Sequence, residues 1–145
     1  MTTETPAERK PSDESATPIH VLVVDDDPNL LTIAEQLLAR EDGFEVETAE
    51  NALDACRVVR EESVDCVVSD YRMPAVDGMD LLETIRETED VPFVMFTNKG
   101  SPKLEARVAR LGDTAYLRKG IGAERYELLA ETVRDIVRPR DGKGE

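Results

Sequence analysis

The chain is short of several things that would widen its possible functions. It has two cysteines, one histidine and, by count, 5 lysines against 13 arginines in 145 residues. Cys56 and Cys66 can supply neither the disulfide framework of a secreted domain nor a cysteine-rich zinc site, and both read as inert core residues. No apolar stretch approaches the roughly 20 residues of a membrane span. The opening segment, MTTETPAERKPSDESATP, lacks the apolar run of a signal peptide. There is no glycine-rich phosphate loop, and without one the Asn98-Lys99 pair does not make a guanine site. These absences point to a cytoplasmic chain with no membrane partner.

Negative charge is abundant. The 32 acidic and 18 basic residues leave a net charge of −14. Such a chain repels phosphate backbones and anionic membranes, so nucleic acid is not an expected partner. A solvated acidic shell poor in lysine suggests a halophilic protein, kept soluble in high salt. The apolar fraction of 40% is enough for a core, and the length fits one domain. Residues 1–18, rich in Pro, Ser, Thr and Glu, are expected to form a disordered acidic tail. Residues 139–145, PRDGKGE, are expected to be a disordered, frayed end.

Between them, residues 19–138 alternate two patterns. IHVLVV (19–24) is a continuous apolar run, as in a strand buried on both faces. Asp27-Pro28 then reads as a helix cap followed by proline in the first turn. Leu30, Ile33, Ala34, Leu37 and Leu38 follow at helical spacing up to Gly43. FEVET (44–48) alternates and reads as an edge strand. A second helix carries Ala52, Ala55, Cys56 and Val59. VDCVVSD (64–70) is the next buried strand, Asp77-Gly78 opens a third helix, and VPFVMFT (91–97) is another buried strand. Ser101-Pro102 starts a fourth helix that Gly112 ends. TAYLRK (114–119) is the last strand, and Ala123–Val137 the last helix. Five strands alternating with five helices give an α/β fold, a doubly wound five-stranded parallel sheet. Ligands of such sheets sit outside the carboxyl ends of the strands.

Those ends carry chemistry. The first strand ends in Asp25, Asp26 and Asp27, the third in Asp70, the fourth in Thr97 and the fifth in Lys119. His20 lies at the opposite end of the sheet, so no Ser–His–Asp triad can form there. Two carboxylates about 5 Å apart at an effective dielectric near 20 repel by roughly 3 kcal/mol. A divalent cation relieves that, and hard oxygen donors favour Mg²⁺. Mg²⁺, a lysine and a hydroxyl around a carboxylate are the equipment for phosphoryl transfer to that carboxylate.

VLVVDDDP, VSDYRMPAVDG, MFT and YLRK, in this order and at these spacings, resemble the receiver domain of two-component response regulators. The resemblance spans residues 19 to about 138. It implies a CheY-like fold with strand order 2-1-3-4-5. It implies that Asp70 accepts the phosphoryl group and that Asp26 and Asp70 bind Mg²⁺, with Asp25 acting through water. The main-chain carbonyl of Arg72 completes the metal ligands. By the same resemblance Thr97 and the amide of Asn98 bond the phosphoryl group, Lys119 contacts it, and Thr97 with Tyr116 forms the switch. The implied partners are a histidine kinase or phosphotransfer protein and an output protein, with the receiver a monomer or weak dimer. It would be no enzyme beyond catalysing its own phosphorylation and dephosphorylation. Since nothing after residue 138 is expected to form an output domain, a single-domain response regulator is the expected role. It would signal through the face formed by the fourth helix, last strand and last helix.

Two positions depart from the family pattern. Asn98-Lys99 follows the threonine where Ala or Gly is usual, and Gly120 follows the lysine where a cis proline is usual. The string FTNKGS…YLRKG is similar to receivers of haloarchaeal proteins, in keeping with the acidity. A cis bond before a non-proline residue costs about 2.5–4 kcal/mol, so Lys119–Gly120 is expected to be trans. The loop is then expected to be mobile and Lys119 poorly aimed. Two alternatives remain open: a phosphorylation-independent binding module, and a haloacid-dehalogenase-type phosphohydrolase. Asp25-x-Asp27 approaches the first motif of the latter, but Asn29 and the lack of a later acidic pair depart from it.

Overall fold

The computed structural model describes residues 17–143, with side chains through Val137. Most of the segment expected to be a disordered tail therefore lies outside the described residues. Five strands and five helices alternate: β1 (Ile19–Val24), α1 (Pro28–Ala39), β2 (Phe44–Ala49), α2 (Ala52–Glu61), β3 (Cys66–Ser69), α3 (Gly78–Arg86), β4 (Phe93–Thr97), α4 (Pro102–Ala109), β5 (Thr114–Arg118) and α5 (Glu124–Lys143). All strand pairs are parallel, in the order β2-β1-β3-β4-β5. The doubly wound sheet and its strand order are thus as expected, and β2 is an edge strand.

Alternation along the strands separates two cores. Leu22, Val24, Val67, Phe93 and Met95 pack on the face covered by α2, α3 and α4. Val21, Val23, Val68, Val94 and Phe96 pack on the face covered by α1 and α5. Each fully buried aliphatic or aromatic side chain contributes about 1.5–3 kcal/mol relative to exposure. The helix starts are set by side-chain caps: Asp27 accepts the N–H of Asn29, Asp77 that of Asp80, and Ser101 that of Leu104.

The last helix differs from expectation. It runs to Lys143, past Pro139, rather than ending at Val137 before a frayed end. The fixed φ of proline fits a helix, although its missing N–H and the crowding of its ring against the carbonyl four residues back make it a costly residue there.

This winding positions the site. The order 2-1-3 makes the chain leave β1 and β3 toward opposite faces, which opens a crevice between their carboxyl ends. Val24 pairs with Ser69, so the residues that follow, Asp25 and Asp70, come out of the sheet side by side.

Candidate phosphoryl-acceptor site

Asp25 is buried, 4% exposed, because β1 ends beneath the crevice. One carboxylate oxygen accepts the N–H of Asp27 at 3.0 Å. The other accepts from the Lys119 ammonium at 2.7 Å. Asp70, half-buried, accepts the N–H of Tyr71 at 2.7 Å on one oxygen and faces Lys119 Nζ at 3.2 Å with the other. Asp26 points outward and has no hydrogen-bond or ion-pair partner among the described residues. Oxygens of Asp25, Asp26 and Asp70 lie within 4.8 Å of one another.

Three carboxylates thus gather at one place, and a single ammonium pairs with two of them, Asp25 and Asp70. Burial pushes the Asp25 carboxyl up, against the pull of Lys119. Burial alone would lower the Lys119 ammonium, but the hydrogen bond and charge of Asp25, and then Asp70, outweigh it and hold the ammonium protonated. The remaining negative charge, carried wholly on hard oxygen donors, fits a divalent cation such as Mg²⁺. Asp25, Asp26 and Asp70 could hold one.

The loop after Asp70 is held close under the site. Ala75, at φ 71°, sits between the Pro74 carbonyl and the Val76 N–H that hydrogen-bond at 2.7 Å, a γ-turn. Gly78 donates to the Tyr71 carbonyl at 2.7 Å, and a Cβ there would stand 2.4 Å from the Asp70 carbonyl oxygen. Only glycine allows that approach. Arg72 lies in this loop with an exposed side chain, so only its main chain is available to the site.

Thr97 is fully buried, and its hydroxyl oxygen accepts the N–H of Lys99 at 3.0 Å. Tyr116 is half-buried against the core beneath α4. Its hydroxyl occupies the space that a side chain at Gly100 would need. The structure therefore brings Asp25, Asp26, Asp70 and Lys119 together, with Thr97 and Tyr116 on the adjoining strands β4 and β5. Asp27 serves as a helix cap and His20 lies at the far end of the sheet.

With this geometry the comparisons with known proteins are decisive. The sequence pattern of the response regulator receiver domain matches residues 21–131. The chain belongs to the response regulator receiver domain family. This receiver is 37% identical over 105 residues to the transcriptional regulatory protein GlrR of Escherichia coli, covering 72% of this chain and 23% of that one. It is 35% identical over 117 residues to a two-component response regulator of Arabidopsis thaliana, covering 79% of this chain and 22% of the relative. The receiver thus spans less than a quarter of the length of these curated relatives. Among solved structures, a response regulator receiver domain from Clostridium thermocellum superposes with a TM-score of 0.74 at 29% identity, covering 84% of this chain and 96% of that one. The Vibrio cholerae chemotaxis protein CheY4 does so with 0.72 at 26% identity, covering 81% and 99%.

One expectation needs correction. Among the described residues no peptide bond is cis, and Gly120 takes φ 64°, as the missing proline implies. Lys119, however, is not poorly aimed; it already contacts both Asp25 and Asp70. The loop is tied by the side chain of Asn98, expected only to offer its amide to the phosphoryl group, and by Arg125, for which no role was expected. Asn98 Oδ1 accepts the Gly120 N–H at 2.9 Å, and the Arg125 guanidinium donates to the carbonyls of Lys119 and Arg118. A signal for Arg125 was present in the sequence. A cation in the first turn of a helix opposes the dipole there, where Glu124 and Glu127 are the favoured kind. Here the cation answers acceptors outside the helix, the carbonyls of Lys119 and Arg118.

Proposed function

We propose that this receiver takes a phosphoryl group from the phosphohistidine of a sensor kinase or phosphotransfer protein onto Asp70. The observation that carries the reading is the Asp70 carboxylate held between the Lys119 ammonium and the Asp25–Asp26 pair at the open end of the sheet. A carboxylate oxygen of Asp70 forms the new P–O bond. The P–N bond to the donor imidazole breaks, and the imidazole leaves with the electron pair. Lys119 bonds an equatorial oxygen of the transferring group and limits the charge that builds there. Asp26, Asp70, the Arg72 carbonyl and, through water, Asp25 would hold Mg²⁺, which would supply electrostatic stabilisation of the same oxygens. The protein acts on its own side chain and turns over no separate substrate.

Readout falls to Thr97 and Tyr116. The Thr97 hydroxyl oxygen is occupied by the Lys99 N–H, which leaves its proton to donate to a phosphoryl oxygen. Movement of Thr97 toward Asp70 opens room behind it for the Tyr116 ring. The α4–β5–α5 face then shifts between two populations for an output partner. A groove of about 470 Å³ beside Asp70, lined by Leu30, Ile33 and Leu37 of α1 and by Ala123 and Tyr126, is the apolar surface on which the donor docks.

Incubation with acetyl phosphate and Mg²⁺, followed by intact-mass measurement, tests this. One phosphoryl group is expected on the wild type, none without Mg²⁺, and none on Asp70→Asn. Modification that persists in Asp70→Asn refutes the assignment. A wild type that never reacts favours a phosphorylation-independent binding module.

A further inference from the structure

The Lys119 ammonium reaches both carboxylates although the residue after it is a glycine in the left-handed region, the least constrained backbone a loop can have. Something other than local backbone stiffness must fix the direction of the side chain. Four hydrogen bonds, from three sides, surround the turn. On the strand side, the Lys119 N–H still pairs with the Thr97 carbonyl at 3.3 Å, so β5 is anchored up to the lysine itself. Beyond it, the Gly120 N–H donates to Asn98 Oδ1 at 2.9 Å, which joins the β5–α5 loop to the β4–α4 loop. From the helix side, Arg125 Nε donates to the Lys119 carbonyl at 3.1 Å while Nη2 donates to the Arg118 carbonyl.

The arginine also explains the glycine. A Cβ on Gly120 would stand 2.9 Å from Arg125 Nε and 3.1 Å from Cδ. The guanidinium therefore lies directly over the Gly120 backbone. Asn98, Gly120 and Arg125 form one device: glycine makes space, arginine fills it and satisfies two carbonyls, and asparagine takes the remaining N–H.

We propose that Asn98 and Arg125 are positioning residues that clamp the β5–α5 loop and so aim Lys119 at Asp25 and Asp70. Their contribution to phosphoryl transfer rests on the function proposed above; their hold on Lys119 does not. Neither touches the acceptor carboxylate through a hydrogen bond of its own, so each acts through the lysine. The clamp does in this chain what a rigid residue after the lysine would do.

The test is a cycle of variants in the full chain. The second-order rate constant for phosphorylation by acetyl phosphate is measured at saturating Mg²⁺ for wild type, Arg125→Ala, Arg125→Lys, Asn98→Ala and Lys119→Ala, and for the two alanine variants combined with Lys119→Ala. Arg125→Ala is expected to slow the reaction about tenfold, less than the roughly hundredfold that a 1 Å misplacement can cost. Asn98→Ala, which loses one neutral hydrogen bond, is expected to slow it about threefold. Arg125→Lys, able to reach one carbonyl, should recover part of the loss. Combined with Lys119→Ala, neither alanine substitution should slow the reaction by more than about twofold further. Mg²⁺ affinity, followed by amide shifts, should stay within about twofold of wild type, because no metal ligand has moved. A wild-type rate in Arg125→Ala overturns the clamp, and so does an equal fold loss in the Lys119→Ala background. If the wild type takes no phosphoryl group, the proposed function fails but the clamp is still decided. In lysine-labelled protein, the Lys119 ε-methylene resonance should be distinct in wild type and merge with those of the exposed lysines in Arg125→Ala. An unchanged resonance in that variant refutes the clamp.

Discussion

The two ends of this sheet are made by the same five strands and have opposite electrostatics. At the end where the strands begin, cations answer carbonyls. Arg86, at the end of α3, donates to the carbonyls of Val91, Leu111, Gly112 and Asp113 at 3.0–3.1 Å. Arg134 of α5 lies 4.9 Å from the Phe44 ring centroid and donates to the Asp42 carbonyl and the Glu41 carboxylate. His20 places its two ring nitrogens against the Ser63 carbonyl and the Glu47 carboxylate. At the other end three carboxylates gather, and among the described residues only Lys119 answers them, through Asp25 and Asp70. One end is compensated and serves stability. The other keeps an excess of one charge, costs stability, and is therefore the end able to gain from a metal or a transferred group. Activity belongs where the electrostatics are left incomplete.

The largest effect that could sharpen this contrast is expected at the compensated end. Arg86→Ala removes four hydrogen bonds from a charged group to loop carbonyls. A loss of about 3 kcal/mol in unfolding free energy is expected, since bonds to charged groups are worth about 1.5–3 kcal/mol each and this guanidinium is partly exposed. Urea unfolding measures it. Mg²⁺ binding should be untouched. A loss below that of an ordinary surface substitution would show that the compensated end is not what holds the loops.

A middle-sized effect comes from Cys66, which opens β3 and is fully buried. Burial pushes its thiol far above the ordinary value. The unfolded chain releases this proton above about pH 8.5 while the folded chain keeps it. The unfolded state then binds fewer protons, so stability falls as pH rises, by up to about 1.4 kcal/mol per pH unit. Cys66→Val should remove that slope and recover about 2 kcal/mol between pH 9 and 10.5, relative to wild type. Tyr116, Tyr126 and Lys119 titrate equally in both proteins, so the difference isolates the thiol. Parallel curves would show that the unfolded chain protects the thiol as well.

The architecture was legible because each of its signals is local. Apolar runs such as IHVLVV and VPFVMFT carry strands buried on both faces, and Asp27-Pro28, Asp77-Gly78 and Ser101-Pro102 cap the helices that follow. The site carboxylates were legible for the same reason, since each ends a strand and parallel strands bring their ends together. The aim of Lys119 was not. It depends on Asn98, from the β4–α4 loop, and Arg125, from the first turn of α5, which meet over Gly120 only once α5 has docked. The helical backbone beyond Val137 was hidden by Pro139, which reads as a stop in sequence although its φ is helical.

The smallest expected effect bears most directly on the incomplete end. Asp26 is exposed and unpartnered among the described residues, yet its oxygen lies within 4.8 Å of those of Asp25 and Asp70. In metal-free protein at low salt, Asp26→Asn removes repulsion and surrenders no contact. Stability is expected to rise by about 1 kcal/mol, the scale of one like-charge pair close to solvent. In saturating Mg²⁺ the order should reverse. If the substitution weakens Mg²⁺ about tenfold or more, the stabilisation by bound metal falls by about 1.4 kcal/mol at a fixed excess of Mg²⁺. Salt separates the two contributions. The Debye length shrinks from about 30 Å at 0.01 M to about 3 Å at 1 M, so KCl should raise the metal-free midpoint of wild type more than that of the variant, and the gap should narrow toward zero. The net −14 of the chain adds a general rise with salt to both proteins. Thermal unfolding with a chelator, with Mg²⁺, and across a KCl series reads all three outcomes. An Asp26→Asn protein less stable than wild type without metal would mean that Asp26 holds the fold rather than a cation, and the contrast between the two ends would collapse.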